Sequence, residues 1–253
     1  MPTVILQRHG RTTANAGGVL AGRTPGVRLD ATGERQAEDA AARLAVVPLA
    51  ALVSSPQERC RQTASYVAAH RPADAPARPE VEVDEGLAEC DYGDWQGSPI
   101  AELAKDPLWK VVQQQPSAVR FPGGETLRAM QQRAVEAVRR RDAEVAAAHG
   151  DGAVWLAVTH GDIVKAVLAD ALGLHLDLFQ RLHADPASLT VIRYTAARPM
   201  VLQTNTHSGD LSWLAAPPAT ATPAASGAGA TGADAGDAVV GGGAGPDAPP
   251  PAP

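Results

Sequence analysis

The sequence predicts an α/β fold: a three-layer α/β/α sandwich around a mixed, mostly parallel central sheet. Three observations carry this. Short apolar runs alternate with helical patterns along most of the chain. The run Val154-Trp155-Leu156-Ala157-Val158 is apolar at every position, as a strand buried on both faces requires. Two late runs, 189–194 and 200–204, are close enough in sequence to form a hairpin, which adds an antiparallel edge.

Taken in order, Val4-Ile5-Leu6 reads as the first strand. Asp30 can cap a helix whose apolar positions Ala37, Ala40, Ala41 and Leu44 follow i, i+3, i+4, i+7. Residues 50–54 read as a second strand. Ser55-Pro56-Gln57-Glu58 then reads as N-cap, Pro at N1 and Glu at N3, a capping box opening a helix to about His70. Val81 and Val83 mark a third short strand. An irregular stretch, 86–124, has helical potential near 100–105. A long helix over about 125–148 places Leu127, Met130, Ala134 and Val138 on one stripe, and Gly150 suits its end. Residues 153–159 form the buried strand. Ile163, Val164, Val167, Leu168, Ala171 and Leu172 give the next helix a double apolar stripe, stopped by Gly173.

Composition bounds the rest. The last 39 residues, 215–253, hold 14 Ala, 8 Gly and 8 Pro, so they offer almost nothing to bury and are expected to be disordered. The expected folded domain is 1–214. That tail carries Asp234, Asp237 and Asp247 and no Lys or Arg, so without it the net charge of −6 becomes −3. Such a balance gives no reason to expect a nucleic-acid partner. Apolar runs fall well short of the ~20 residues a membrane helix needs. The N-terminus lacks a signal-peptide layout, so a cytoplasmic protein is expected, as monomer or dimer. Cys60 and Cys90 fit neither a disulfide framework nor a zinc finger. Lys occurs only as Lys105, Lys110 and Lys165 among 22 basic residues, so a lone Arg says little about a phosphate site.

In open α/β sheets ligands bind at the carboxyl ends of the strands. Arg8-His9-Gly10 follows the first strand here. Ser54, Ser55 and, one turn later, Arg59 follow the second; Glu89 and Asp91 follow the third; His160-Gly161-Asp162 follows the buried one. His, Arg and carboxylate converging in one cleft suit phosphoryl transfer without a metal. His149-Gly150 reads as ordinary capping, whereas His9-Gly10 and His160-Gly161 directly follow strands, where glycine lets the backbone approach a ligand.

These residues fall in recognisable blocks. Arg8-His9-Gly10-Arg11-Thr12 with Asn15 resembles the RHGxT…N signature of the histidine phosphatase superfamily, the phosphoglycerate-mutase-like proteins. Residues 54–64 resemble its SSPxxRxxQTA segment, and residues 87–97 its LxExxYGxWEG segment. Phe121-Pro122-Gly123-Gly124-Glu125-Thr126 resembles its PGGES turn, and Val158-Thr159-His160-Gly161 its second histidine block. The resemblance spans about residues 1–214 and implies an α/β/α fold with a metal-independent phosphohistidine mechanism and no cofactor.

By matched position it implies His9 as the nucleophile, its other ring nitrogen held by an acceptor such as a backbone carbonyl. Arg8, Arg59 and His160 would hold the phosphoryl oxygens, their positive charge keeping His9 neutral. Asn15 and the Gly161 amide would add donors. Glu89 would be the general acid and then the base for water. Asp91 is the second candidate for that role, or turns its loop. Where relatives often have Gln-Gly after Asn15, this sequence departs with Ala21-Gly22-Arg23, and Arg23 would meet the phosphate or a second acidic group of the substrate. Asp162 reads as an N-cap, or as a metal ligand with His9, His160 and Glu89 in a metallohydrolase. Cys90 reads as buried and structural; Tyr92 and Trp95 as pocket wall or packing. His70, His175, His183 and His207 read as surface or loop residues, Trp109 and Trp213 as core or edge packing. Glu125 reads as a helix start, and the arginines of 133–141 as a solvated face.

The segment between Gly97 and Phe121 is short and holds only Lys105, Lys110 and Arg120 as basic residues. Cofactor-dependent mutases of this superfamily carry a longer, more basic insert. The expectation is therefore a phosphomonoesterase acting on a small phosphorylated metabolite; a phosphomutase using the same His9 intermediate is the alternative. A non-catalytic phosphoester-binding protein is weaker, since His9, Glu89 and His160 are all present.

Overall fold

The computed structural model describes residues 2–70 and 80–207. The expected tail at 215–253, and Trp213, lie outside the described residues.

Among the described residues six strands form one sheet in the order β3-β2-β4-β1-β5-β6. They are β1 (Thr3–Arg8), β2 (Leu49–Ser54), β3 (Val81–Val83), β4 (Val154–Thr159), β5 (Leu189–Tyr194) and β6 (Pro199–Thr206). β1 to β4 run parallel, and the β5–β6 hairpin closes one side antiparallel. The sheet is mixed, as predicted.

Helices α1 (Thr13–Ala16), α2 (Ala31–Leu44), α3 (Glu58–Ala69), α4 (Ile100–Leu103), α5 (Pro107–Gln114), α6 (Leu127–His149) and α7 (Gly161–Ala171) complete the fold. Strand alternation decides which helices cover which face. Ile5, Leu52, Leu156 and Val158 pack with Ala41 and Leu44 of α2 and Cys60, Ala64 and Val67 of α3. Their neighbours Val4, Leu6, Val53, Trp155 and Ala157 pack with Leu127, Met130, Ala134 and Val138 of α6 and Ile163, Val164 and Val167 of α7. β4 thus feeds both cores, which is why its sequence has no polar side, and the architecture is three layers, α/β/α.

Asp30 caps α2 by accepting from Gly33 N at 2.8 Å, as its position predicts. Gly150 is the C-cap of α6 and His70 that of α3, also as expected, whereas three other helix ends differ. α3 begins at Glu58, with Gln57 as N-cap and no side-chain cap bond, so Ser55 and Glu58 form no capping box. The cause is competition. Ser55 Oγ lies 2.7 Å from His160 Nε2, and Glu58 Oε2 accepts from Gly26 N. α6 begins one residue after its cap Thr126, leaving Glu125 outside. Leu172 is the C-cap of α7 and is exposed, because the helix ends before its stripe does.

The stretch read as irregular holds a second helix, α5, capped by Asp106 with Pro107 at its first position. Trp109 on α5 stacks on Trp95, which meets Phe121 edge-on. These rings pack the segment against the main core. The arginines of α6 are not one solvated face: Arg139 and Arg140 are exposed, while Arg133 and Arg141 are half-buried in ion pairs. No helix among the described residues is long and apolar enough to cross a membrane.

Candidate active site

β1 and β4 are parallel neighbours whose register pairs Arg8 with Thr159. The next residues, His9 and His160, therefore leave the sheet side by side. Their rings meet edge-on, with centroids 5.3 Å apart. The His9 N–H donates to the Thr159 carbonyl and its carbonyl accepts from Ala187 N. Ala187 holds φ at 59°, a left-handed conformation uncommon without glycine. Gly10 has a steric reason of its own: a Cβ there would overlap the Gly33 carbonyl oxygen of α2.

The His9 ring is buried. Its Nδ1 lies 2.7 Å from the Gly10 carbonyl oxygen, which can only accept, so Nδ1 carries the proton and Nε2 the lone pair. Arg59 Nε donates to that Nε2 at 3.2 Å. Burial, then Arg59, then Arg8 hold His9 well below the usual histidine range. The ring is neutral and its bare nitrogen faces a cation.

Arg59 is buried in the first turn of α3, the helix that follows β2, the strand next to β4. It donates from Nη2 to the Gly22 carbonyl at 2.7 Å and to His160 Nδ1 at 3.0 Å. The neighbours decide the tautomer of His160. Gln57 Oε1 accepts from Glu89 N, so it is an acceptor, and His160 Nε2, 3.0 Å away, must donate to it. Nδ1 is then the acceptor for Arg59. Burial and Arg59 hold His160 well below its ordinary value too. It is therefore neutral rather than the cation the resemblance implies. Arg8 is buried, donates to the Ala184 carbonyl at 2.8 Å, and is lowered to about 10 by burial.

Glu89 is also buried. Its Oε2 stands 3.7 Å from His160 Nδ1, and its Oε1 accepts from Cys90 N at 3.0 Å. Burial first, then the charge of Asp162, push its carboxyl up to about 7. A carboxyl raised this far can hold a proton near neutrality. The structure thus brings His9, Arg59, His160 and Glu89 into one buried cluster, with Arg8 acting on His9 through its charge.

The other expected residues fall around it. Asn15 Oδ1 accepts from the Thr12 N–H and hydroxyl, a capping box that opens α1. Gly161 is the first residue of α7, so its amide belongs to the exposed-donor end of a helix beside His160. Arg23 donates from Nε to the Glu89 carbonyl at 2.8 Å and from Nη2 to Glu125. Asp91 turns its loop by accepting from Gly93 N. Asp162 is not an N-cap: it sits inside the first turn of α7, accepts from Tyr92 Oη at 2.7 Å and lies 3.5 Å from Lys165 Nζ. A buried hydroxyl and ammonium draw it away from capping. Among the described residues no group of three or more His, Cys, Asp or Glu side chains could hold a metal ion.

Cys90 and Cys60 are buried, and burial raises both thiols, Cys60 to about 12. Tyr92 and Trp95 are buried; Tyr92 meets Phe121 edge-on and Trp95 stacks on Trp109. His175 and His183 have mostly exposed side chains; His70 and His207 are partly covered, at 30% and 31% exposure. Sequence reasoning missed Gln57, which bridges His160 and Glu89, and Arg133, which reaches the Glu89 carbonyl from α6. No local spacing signals either, because their partners lie dozens of residues away.

A bifunctional protein of Mycobacterium tuberculosis is 35% identical over 196 residues, covering 76% of this chain and 50% of that relative. The chain thus spans about half the length of that relative. Phosphoserine phosphatase 1 of Hydrogenobacter thermophilus is 29% identical over 213 residues, covering 81% of this chain and 92% of the relative. The solved structure of Bacillus stearothermophilus YhfR superposes with a TM-score of 0.72 at 28% identity, covering 82% of this chain and 98% of that one. The family model described as "Histidine phosphatase superfamily (branch 1)" matches residues 4–207, and the chain belongs to that superfamily.

Proposed function

We propose that the chain is a phosphomonoester hydrolase that acts on a small phosphorylated metabolite through a phosphohistidine at His9. One observation carries this reading. The His9 ring is neutral, pinned through Nδ1 to Gly10, with its Nε2 lone pair in the buried cationic cluster.

In the first step Nε2 attacks phosphorus and the bond to the leaving oxygen breaks. Glu89 gives its proton to that oxygen, and the alcohol departs. The Gly10 carbonyl keeps the Nδ1 proton and steadies the charge that appears on the ring. Arg59 and Arg8 offset the charge on the phosphoryl oxygens in the loose transition state, with the Gly161 amide and Asn15 as neutral donors. A bound dianion favours the imidazolium form of His160, which then adds a charged donor. In the second step the Glu89 carboxylate takes a proton from water, hydroxide attacks phosphorus, and the P–N bond returns its electrons to Nε2. Phosphate leaves, and Glu89 is protonated again. No step calls on a metal.

Residues 1–214 are the proposed catalytic unit. The phosphoserine phosphatase relative supports a small phosphomonoester as the substrate. A panel of phosphorylated metabolites, scored for phosphate release and for isomer formation with and without chelator, tests the proposal. Phosphate release that is indifferent to chelator and lost in His9→Ala is expected. Isomer formation would make the chain a phosphomutase; loss of turnover in chelator would make it a metallohydrolase.

A further inference from the structure

We propose that Arg133, Glu125 and Arg23 form a clamp on the backbone of Glu89 and are positioning residues for its carboxyl group. This rests on the role given to Glu89 above. The three residues come from different parts of the chain: the loop after α1, the turn before α6, and α6 itself.

Arg133 grips Glu125 with two bonds, Nε to Oε2 at 3.1 Å and Nη2 to Oε1 at 2.7 Å. The same guanidinium donates to three carbonyls of the acid loop: Gly86 at 3.0 Å, Ala88 at 2.7 Å and Glu89 at 2.9 Å. Arg23 does the same from the other side, donating to the Glu89 carbonyl at 2.8 Å and to Glu125 Oε1 at 3.1 Å. Glu125 also accepts from Asp91 N at 2.8 Å. The Glu89 carbonyl thus receives two charged donors, while its own N–H is tied to Gln57.

The loop needs such a device. Residues 84–92 contain one three-residue 3₁₀ turn, Glu85–Leu87, and no strand pairing, so their carbonyls have no ladder to satisfy them. A planar guanidinium can meet several acceptors in fixed directions, which an ammonium cannot. Glu125 balances one of the two cations and fixes both forks; the pair in turn holds its carboxyl below the usual range. Fixing both peptide groups of Glu89 fixes the direction of its Cα–Cβ bond and therefore where the carboxyl stands. A misplacement of about 1 Å can cost on the order of 100-fold in rate.

A clamp for the acid has a signature that general scaffolding lacks. Protonation matters for a poor leaving group and little for a good one. The test is kcat/KM for glycerol 3-phosphate and for p-nitrophenyl phosphate, because this ratio reports steps up to loss of the alcohol. Arg133→Ala is expected to lose about 100-fold on the alkyl ester and less than about fivefold on the aryl ester. Glu125→Gln and Arg23→Ala should show the same bias, about tenfold on the alkyl ester. Arg133→Lys should not restore the ratio. Arg139→Ala, on the same helix and paired with Asp170, should leave the ratio at the wild-type value. Equal losses on both esters, or none, overturn the clamp. Should Arg133→Ala not fold, Glu125→Gln and Arg23→Ala decide by the same ratio. If the wild-type chain hydrolyses neither ester, the phosphatase reading falls and the clamp with it; wild-type hydrolysis with unbiased losses sinks the clamp alone.

Discussion

Replacing Arg59 with methionine should raise the pKa of His9 and move the acid limb of the pH–rate profile upward. Arg59 Nε is 3.2 Å from His9 Nε2. Its charge is spread over the guanidinium, so the effective separation from an imidazolium is about 4 Å. At an effective dielectric of about 20 that repulsion is about 4 kcal/mol. At 1.36 kcal/mol per unit, about 3 pKa units is the ceiling. Burial and Arg8 remain in the variant and continue to hold His9 down, so the rise falls short of that ceiling. The sign follows from charge: removing a cation favours the protonated ring, so the inactive form persists to higher pH. The plateau rate should also fall by about 10² to 10³, because a donor to the phosphoryl oxygens is lost. The assay is kcat/KM against pH, with the His9 ring nitrogens followed by NMR and identified by their absence in His9→Gln. A limb and a titration that stay within about 0.3 units of wild type, or move down, would refute the electrostatic argument.

Asp162→Asn removes the charge that, after burial, most raises Glu89. The Glu89 pKa should fall, so the alkaline limb of kcat/KM, near 7 in wild type, should move to lower pH by on the order of one unit. Gly10→Ala forces a methyl into the Gly33 carbonyl oxygen and should destabilise by about 1–3 kcal/mol in denaturant titrations. Truncation after Leu214 should leave turnover unchanged within about twofold; a larger loss would assign the removed segment a role at the site.

Much of the site was legible because strand register does long-range work. Once β1 and β4 are recognised as neighbouring parallel strands, His9 and His160 must emerge together. The carbonyl partner expected for the second nitrogen of His9 is present as Gly10 O. What spacing hid is where polar side chains have competing partners. Ser55 suits an N-cap by sequence, but His160, 105 positions away, takes its hydroxyl. Asp162 suits a cap, but Tyr92 and Lys165 take its carboxylate. Arg133 reads as one of several helix-face arginines until the fold lays α6 beside the acid loop. α5 is short, eight residues, and although Asp106 and Pro107 mark its start, its Trp109 and Val112 find their apolar partners outside the helix, Trp109 on Trp95.

The proposed turnover passes through a covalent bond between phosphorus and His9 Nε2. The direct measurement is to mix the full chain with a ³²P-labelled phosphomonoester, quench in base, and locate the label by peptide mass spectrometry. A base-stable, acid-labile label is expected on the peptide containing His9, absent from His9→Ala and longer-lived in Glu89→Gln. A label on any other residue, or turnover that survives in His9→Ala, would contradict it.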